Sequence, residues 1–382
     1  MANSNLASAK KAKNDEFYTQ FADIQKEIEA YLEYDADTFR GKVVYCNCDD
    51  PFESNFFQYF ANKFNELGLK KLVTTSYKGS TVALKQTTSP LLDGQDDIVH
   101  DDQGRARSAF AYEINEVKDF NFDGAINSTD VHYLIEHDAN VSRQLHGDDV
   151  YPAGDFRSDE CVELLKQSDI VVTNPPFSLF REYVAQLVEH DKKFAIIGNM
   201  NAITYKEIFP LIAANKMWLG NGFHAGNAYF ATPNVRDFAS GVYDEKTGLV
   251  KFRNVNWFTN IDHGRRHQPL QLMTMADNLK FNKKMKDKTE YDKYDNYDAI
   301  EVPFTNAIPS DYDGVMGVPI SFLDKYNPDQ FEIVAFRKGN DGKDLIYSIS
   351  SDNTHTHTIQ PYFRILIRRI TTPSGERRAS VC

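Results

Sequence analysis

SDIVVTNPPFSLF, residues 168–180, contains a short run of β-branched apolar residues that ends abruptly at an asparagine, two prolines and an aromatic residue. An uninterrupted apolar run of this length predicts a strand that is buried on both faces. The chain then continues as SLFREYVAQLV, where apolar residues recur at intervals of three and four, so a helix is predicted to follow. A strand, a polar break and a helix in this order form the repeating unit of an α/β sheet.

The same unit recurs along the first part of the chain. KVVYC (42–46) precedes the helical pattern SNFFQYFANKFNELG, KFAIIG (193–198) precedes TYKEIFPLIAAN, and KMWLG (216–220) opens the next segment. Strands that alternate with helices predict a mostly parallel, doubly wound sheet. Beyond these segments the pattern changes to short strands with aromatic residues and Pro or Gly turns, which predicts a first domain over residues 1–220 and a second region over residues 221–382.

The net charge of −12 is concentrated in one part of the chain. Residues 85–169 hold 19 acidic and 7 basic side chains, whereas residues 251–382 hold 19 basic and 17 acidic ones, with basic clusters at 264–266, 280–288 and 364–369. Such clusters are compatible with binding along a phosphate backbone, although scattered surface charge gives the same composition.

The sequence contains neither a membrane span nor a signal peptide. No apolar run approaches the ~20 residues that a span requires, and the N-terminal MANSNLASAKKAKNDEF has no apolar stretch behind its basic residues. We therefore expect a cytoplasmic protein with no membrane partner. The spacing of Cys46, Cys48, Cys161 and Cys382 fits neither a zinc site nor a disulfide framework, so reduced thiols are predicted.

The segment NPPF offers hydrogen-bond acceptors in a fixed geometry. Each proline lacks an N–H and has φ fixed near −65°, so the backbone presents carbonyl oxygens, to which Asn174 adds a side-chain oxygen. The Asn174 oxygen and the Pro175 carbonyl, beside the ring of Phe177, would hold the NH2 group of adenine and direct its nitrogen lone pair at an electrophile. A base in a duplex must be flipped out to reach them. The pattern favours an amino-group methyltransferase, with a simple strand terminator as the alternative.

A second polar break should lie beside this one. In an open parallel sheet, ligands bind outside the carboxyl ends of the strands. CDDPF (48–52) follows the first predicted strand and NPPF follows a later one, so we expect both to line one crevice.

Over most of its length the chain resembles the EcoRI-type adenine-specific DNA methyltransferases. The resemblance is carried, in order, by DEFYTQFADI, KVVYCNCDDPFESNFFQYF, GDFRSDECVELLKQSDIVVTNPPFSLF, IIGNMNAITYKEIF, WFTN and YDGVMGVPISFLDKYNP. It implies an α/β, Rossmann-like methyltransferase sheet, S-adenosylmethionine as the methyl donor and a C-terminal target-recognition region. It also implies that the catalytic motif consists of Asn174, Pro175, Pro176 and Phe177.

The resemblance implies cofactor contacts in three further motifs. FYT matches the motif that touches the methionine end of the cofactor, and GDFRS stands where the family contacts the cofactor's adenine. CDDPF resembles the first cofactor motif but lacks its usual glycines, so capping of the following helix is the alternative role for its carboxylates. The candidate cofactor residues are Phe17, Tyr18, Thr19, Asp49, Asp50, Asp155 and Phe156.

The predicted function is the transfer of a methyl group from S-adenosylmethionine to N6 of a flipped-out adenine in double-stranded DNA. We expect a monomer of a restriction-modification system, with a cognate restriction endonuclease as its partner. The family's namesake methylates within GAATTC, so an AATT-containing palindrome is the expected site. RNA-adenine, cytosine-N4 and protein-glutamine methyltransferases use the same loop and are the alternatives, although the long C-terminal region with basic clusters favours a nucleic acid.

Residues 78–150 lose the alternation of strands and helices, except for the strand-like AFAYEINEV, and we interpret them as an acidic insertion in the sheet domain. Within this segment, DFNFDGAINSTD (119–130) resembles the calcium loop of dockerin modules. The residues at its ligand and turn positions are Asp119, Asn121, Asp123, Gly124 and Asp130. A calcium-dependent interaction module is therefore a further alternative, but a turn of Asp, Asn and Gly is the simpler interpretation, and no metal ligand is assigned.

Overall fold

The computed structural model describes residues 18–51, 54–76, 109–120, 122–137, 141–223, 227–232, 240–286, 288–352 and 355–370. The chain divides into two compact units, of which the first comprises Met1–Ala202 with Leu219–His263 and the second Ile203–Trp218 with Gly264–Cys382. No helix in these ranges is long and apolar enough to cross a membrane.

The strands between residues 18 and 259 form two sheets. These strands are β1 (Tyr18–Thr19), β2 (Val43–Cys46), β3 (Lys71–Thr75), β4 (Ala109–Ile114), β5 (Ser142–Leu145), β6 (Ile170–Thr173), β7 (Lys193–Asn199), β8 (Trp218–Leu219), β9 (Asn227–Ala231), β10 (Tyr243–Asp244), β11 (Leu249–Arg253) and β12 (Val255–Thr259). The larger sheet has the order β5-β4-β3-β2-β6-β7-β12-β8, and the smaller has the order β1-β9-β11-β10.

The centre of the larger sheet is parallel and its flanks are antiparallel. β3, β2, β6 and β7 run parallel to one another, as the alternation of strands and helices predicted. β4, β5 and β12 join in antiparallel pairs, so the sheet is mixed. Every residue of β2 and β6 is buried, which explains why their sequences are continuous apolar runs.

Two segments within the predicted acidic insertion are strands of the larger sheet. β4 pairs with β3, and β5 pairs with β4, so residues 109–114 and 142–145 are integral to the sheet. The strand predicted from AFAYEINEV is thus confirmed, because five of the six residues of β4 are buried. Acidic residues lie mainly in the connections rather than in this strand. The average composition of residues 78–150 therefore gave no sign that the segment contains strands of the sheet. Residues 78–108 lie outside the described part of the chain.

The helices of the first unit are α1 (Phe21–Tyr34), α2 (Asn55–Asn62), α3 (Phe64–Leu67), α4 (Ser128–His137), α5 (Asp159–Gln167) and α6 (Phe180–Glu189). Two of them, α2 and α6, bury the apolar residues whose spacing predicted them. α2 buries Phe56, Phe57 and Phe60, and α6 buries residues spaced by three and four from Phe180 onward. Gly68 ends α3 with φ of +62°, in the left-handed region that favours glycine.

The structural units divide the chain differently from the predicted boundary at residue 220. β12 pairs with β7, and β9 pairs with β1, so residues 227–259 belong to the first unit. All five residues of β12 are buried, as expected of a strand inside a sheet. The stretch 203–218 belongs instead to the second unit.

The second unit has its own smaller sheets. Its helices are α7 (Phe209–Ala213) and α8 (Met275–Phe281), and its strands are β13 (Ala299–Glu301), β14 (Val315–Pro319), β15 (Phe331–Phe336), β16 (Tyr347–Asp352), β17 (His355–Ile359) and β18 (Arg364–Arg369). Four strands have the order β13-β14-β18-β15, and β16 pairs with β17. The basic cluster at 364–369 lies on β18, whose central Ile365, Leu366 and Ile367 form part of the core.

Candidate active site

The loops CDDPF and NPPF leave adjacent strands of the larger sheet. β2 and β6 are parallel neighbours, with Tyr45 opposite Val171, so both loops begin at the same edge of the sheet. They are also joined directly, because the Thr173 hydroxyl donates a hydrogen bond of 2.6 Å to the carbonyl of Asn47. The structure therefore brings together the two motifs that sequence spacing had assigned to one crevice.

Two threonines at the end of β3 hold the loop after β2 in place. Thr74 Oγ1 donates to the Cys46 carbonyl at 2.9 Å and also contacts the Asp49 carbonyl. Thr75 Oγ1 donates to Asn47 Oδ1 at 2.9 Å. The three residues that the threonines contact, Cys46, Asp49 and Asn47, are all buried. These residues were not singled out in the sequence, where KLVTTSY was notable only for lacking an acidic residue.

Asp49 carries a buried carboxyl group whose hydrogen bonding is incomplete. Its Oδ1 accepts a 2.6 Å hydrogen bond from Ser54 Oγ, while its buried Oδ2 has no hydrogen-bond partner within the described ranges. Burial raises the pKa of Asp49 to about 7, an effect that Ser54 and the nearby Thr173 hydroxyl only partly offset. The side-chain cap of α2 is Ser54, which accepts from the N–H of Phe56 at 3.1 Å. The Asp49 carboxyl group therefore supports this cap through Ser54 and keeps one acceptor oxygen for another donor.

The raised pKa of Asp49 predicts a pH-dependent stability difference. The folded state retains the Asp49 proton up to a pH of about 7, whereas the unfolded chain releases it near the ordinary carboxyl pKa of 3.8. The unfolded state thus binds fewer protons in this window, so the contribution of Asp49 to folding becomes less favourable as pH rises from about 4 to 7. We expect Asp49→Asn to gain stability over the wild type across that range, by at most on the order of 4 kcal/mol, in urea unfolding at several pH values.

Asp148 provides a control of opposite sign. Its carboxylate accepts hydrogen bonds from the N–H groups of Tyr151, Val150 and Asp159, and these bonds lower its pKa. Asp148→Asn should therefore lose stability relative to the wild type above about pH 4, where the wild-type carboxylate is charged. A flat difference between the wild type and Asp49→Asn from pH 4 to 7 would contradict the buried-carboxyl interpretation.

The motif FYT lies beside the start of α2. Phe17 is outside the described residues, and Tyr18 and Thr19 form β1, which pairs with β9. Asn55 Nδ2 donates to the Thr19 carbonyl at 2.7 Å, which fixes β1 next to the loop of Asp49. The Thr19 hydroxyl is buried and has no hydrogen-bond partner in the described part of the chain.

The motif GDFRS contacts α6, the helix that follows NPPF, through an ion pair and a hydrogen bond. Arg157 binds both oxygens of Asp155, with Nε–Oδ1 at 2.9 Å and Nη2–Oδ2 at 2.8 Å, and its remaining Nη1 lies 2.9 Å from Glu182 on α6. Gln186, also on α6, donates to the Phe156 carbonyl at 3.1 Å.

Both residues predicted from this motif are buried. Asp155 is ion-paired with Arg157, and the ring of Phe156 packs edge-on against Tyr183 at 4.9 Å between centroids. Sequence reasoning missed Arg157, although its place two residues after Asp155 puts the two side chains within reach of each other.

NPPF leads from β6 into a single 3-10 turn and then into α6. The Pro176 carbonyl accepts from the Leu179 N–H at 2.9 Å, whereas none of the described residues donates to the Pro175 carbonyl. Asn174 is half-buried and its Oδ1 is shielded from solvent. Phe177 is half-buried and meets Phe252 of β11 edge-on, with centroids 6.3 Å apart, so part of its ring surface remains accessible.

In the segment resembling a calcium loop, Asp119 and Asp130 accept hydrogen bonds from backbone N–H groups of the same segment. Asp119 Oδ2 accepts from the Gly124 N–H at 2.8 Å, and the buried Asp130 accepts from the N–H groups of Phe120 and Asn127. The ligand position of Asn121 lies outside the described residues. Where side chains are described, no group of three or more His, Cys, Asp or Glu residues is arranged to hold a metal ion.

Comparison with known proteins covers all of these motifs. The family model described as the adenine-specific methyltransferase EcoRI matches residues 5–370. The Type II methyltransferase M.EcoRI of Escherichia coli is 44% identical over 366 residues, which are 95% of each chain. M.MpnI of Mycoplasma pneumoniae is 35% identical over 85% of this chain and 83% of its own, and M.MgeORF184P of Mycoplasma genitalium is 33% identical over 85% and 84%. No solved structure gives a significant match.

Proposed function

Because the chain belongs to the EcoRI family of adenine-specific methyltransferases, we propose that it transfers the methyl group of S-adenosylmethionine to N6 of an adenine flipped out of double-stranded DNA. Its relatives are Type II methyltransferases, so the chain is a modification enzyme of the restriction-modification type. One observation supports the proposed reaction and cofactor: the NPPF and CDDPF loops lie next to each other at adjacent strand ends, and a hydrogen bond from Thr173 to Asn47 connects them.

The buried polar atoms beside NPPF fit the proposed cofactor. Asp49 Oδ2 and Thr19 Oγ1 lack hydrogen-bond partners among the described side chains and backbone groups. S-adenosylmethionine carries an ammonium group, ribose hydroxyls and an adenine amine, which are donors of the kind that these acceptors require. We assign Tyr18, Thr19, Asp49 and Asp50 to the cofactor site, with the GDFRS loop as its adenine side.

The Asn174 oxygen and the Pro175 carbonyl would accept the two N–H bonds of the adenine amine. When bound, the cofactor supplies an electrophilic methyl group on a sulfonium. The two acceptors direct the amine lone pair at that carbon, so that the N–C bond forms as the C–S bond breaks, and the methylated amine then loses one proton to water. The accessible part of the Phe177 ring would stack on the flipped base. Phe252 contacts this ring in a perpendicular arrangement, with ring centroids 6.3 Å apart.

Transfer of label identifies the product directly. The protein is incubated with methyl-labelled S-adenosylmethionine and unmethylated duplex DNA, RNA or protein, and the polymers are then digested and the labelled unit identified. We expect N6-methyldeoxyadenosine from duplex DNA at a yield far above that from RNA or protein. Label in N4-methylcytosine, in RNA adenine or in glutamine would contradict the proposal and identify which alternative holds.

We also propose that the target is a palindrome containing AATT, that the enzyme acts as a monomer and that a cognate endonuclease shares the site. The identity of 44% to M.EcoRI over nearly the whole chain supports this proposal. The second unit carries the basic strand β18 and is the proposed target-recognition region, together with residues 221–263 of the first unit. Sequencing of methylated adenines in a randomised duplex pool would show whether one palindrome is selected.

A further inference from the structure

In the second unit, α8 ends at an exposed aromatic residue whose sequence neighbours include four exposed lysines. Phe281, the last residue of α8, is 62% exposed. The side chains of Lys280, Lys283, Lys284 and Lys286 lie next to it in the sequence, and none forms an ion pair with a carboxylate in the described part of the chain. Lys288, by contrast, is paired with Asp292. We call Phe281 and these four lysines the basic-aromatic surface.

The turn that presents this surface is fixed by buried groups. Asn282, directly after Phe281, is buried, and its Nδ2 donates to the Asn306 carbonyl at 3.1 Å and to Asn278 Oδ1 at 3.2 Å. Met285 is also buried, and its N–H donates to the Asn282 carbonyl at 2.8 Å. The backbone that follows Phe281 is therefore anchored, and Lys280 Nζ lies 4.9 Å from the centroid of the exposed Phe281 ring.

Charge complementarity indicates the occupant of this surface. The protein has a net charge of −12, so four exposed lysines between residues 280 and 286 stand out against an acidic background. Lysines bind phosphates as point charges, and DNA-binding proteins insert exposed apolar side chains between base steps beside such contacts. Duplex DNA fits this surface because its phosphates can contact the lysines and its apolar base faces can contact the Phe281 ring.

We propose that the basic-aromatic surface binds the duplex substrate, with its lysines on the phosphates and the Phe281 ring inserted between base pairs so that the DNA bends. This inference rests on the proposed function, in which the substrate is double-stranded DNA. It assigns to residues 280–286 a role in deforming the duplex, which lowers the cost of extracting a base from the stack.

Tyr362 provides a matched control in the same unit. Its ring is also 62% exposed, but the arginines near it are paired. Arg364 binds Glu301, and Arg337 binds Asp344 through Nε–Oδ1 at 2.9 Å. Tyr362 therefore offers an exposed ring without unpaired cations, and its removal should leave DNA binding unchanged.

The test measures duplex affinity as a function of salt concentration, together with the bend of an end-labelled duplex by energy transfer. Each Lys→Gln change at positions 280, 283, 284 and 286 is expected to lower the slope of log affinity against log salt by about 1. Phe281→Ala is expected to weaken binding about tenfold at every salt concentration, without a change of slope, and to reduce the bend. Tyr362→Ala should match the wild type in affinity, slope and bend.

Three outcomes would overturn parts of this scheme separately. Unchanged affinity, slope and bend in the lysine and Phe281 variants, with a wild type that methylates duplex DNA, would overturn the surface and leave the proposed function standing. Weaker binding by Phe281→Ala with an unchanged bend would overturn insertion of the ring. A wild type that neither binds nor methylates duplex DNA would overturn the proposed function itself.

Discussion

Replacement of Asn174 by Ala is expected to lower the rate of methyl transfer to adenine by at least about a hundredfold, with little change in cofactor affinity. The variant removes one of two acceptors that are proposed to grip the adenine amine, and the single remaining Pro175 carbonyl cannot orient both N–H bonds. The cofactor groups assigned to Asp49 and Thr19 are left in place. Single-turnover transfer of labelled methyl measures the rate, and calorimetry measures cofactor binding.

Two further variants separate this chemical effect from a loss of folding. Asn174→Asp retains an acceptor oxygen and should retain measurable transfer. Asn65, on α3, uses its amide to bond the Val117 carbonyl at 3.1 Å and lies before β3, away from the carboxyl ends of the strands. Asn65→Ala should therefore cost stability without loss of transfer. Turnover within tenfold of the wild type in a folded Asn174→Ala protein would refute the proposed grip on the amine.

Local patterns in the sequence located the strands that line the site. β2 and β6 are buried on both faces, so their apolar runs identify them without reference to any neighbour. The prolines in NPPF lack N–H donors whatever their surroundings, so the end of β6 could also be predicted from its own residues. The same reasoning identified α2 and α6, whose buried residues repeat at helical spacing.

Local sequence patterns did not predict which strands pair when they are far apart in the sequence. β12 joins the sheet by pairing Val255 with Asn199, a register that no local pattern encodes, so residues 227–259 were assigned to the second region. The bond from Thr173 to Asn47 joins residues 126 positions apart, and Thr74 reaches Asp49 across a strand. Resemblance proposed Asp49 and Asp155 as cofactor residues, whereas the side chains that contact them, Thr74 and Arg157, follow only from the fold.

Replacement of Arg364 by Met is expected to destabilise the second unit by about 3–5 kcal/mol, because it leaves a buried carboxylate without its cation. Glu301 is 1% exposed and receives two bonds to Oε1 from Arg364, at 3.0 Å from Nε and 2.7 Å from Nη2. The hydroxyl of Tyr294 donates to the other oxygen. Urea unfolding followed by aromatic fluorescence measures the loss.

Arg368, on the same strand β18, supplies the matched comparison. Its ion pair with Glu332 is open to solvent, with side chains 47% and 50% exposed, so Arg368→Met should change stability by less than about 1 kcal/mol. Combining Arg364→Met with Glu301→Leu removes both buried charges and should restore most of the lost stability, since the penalty comes from the unpaired charge rather than from the missing attraction. If Arg364→Met cost no more than Arg368→Met, the prediction that an unpaired buried carboxylate at Glu301 destabilises the unit would be wrong.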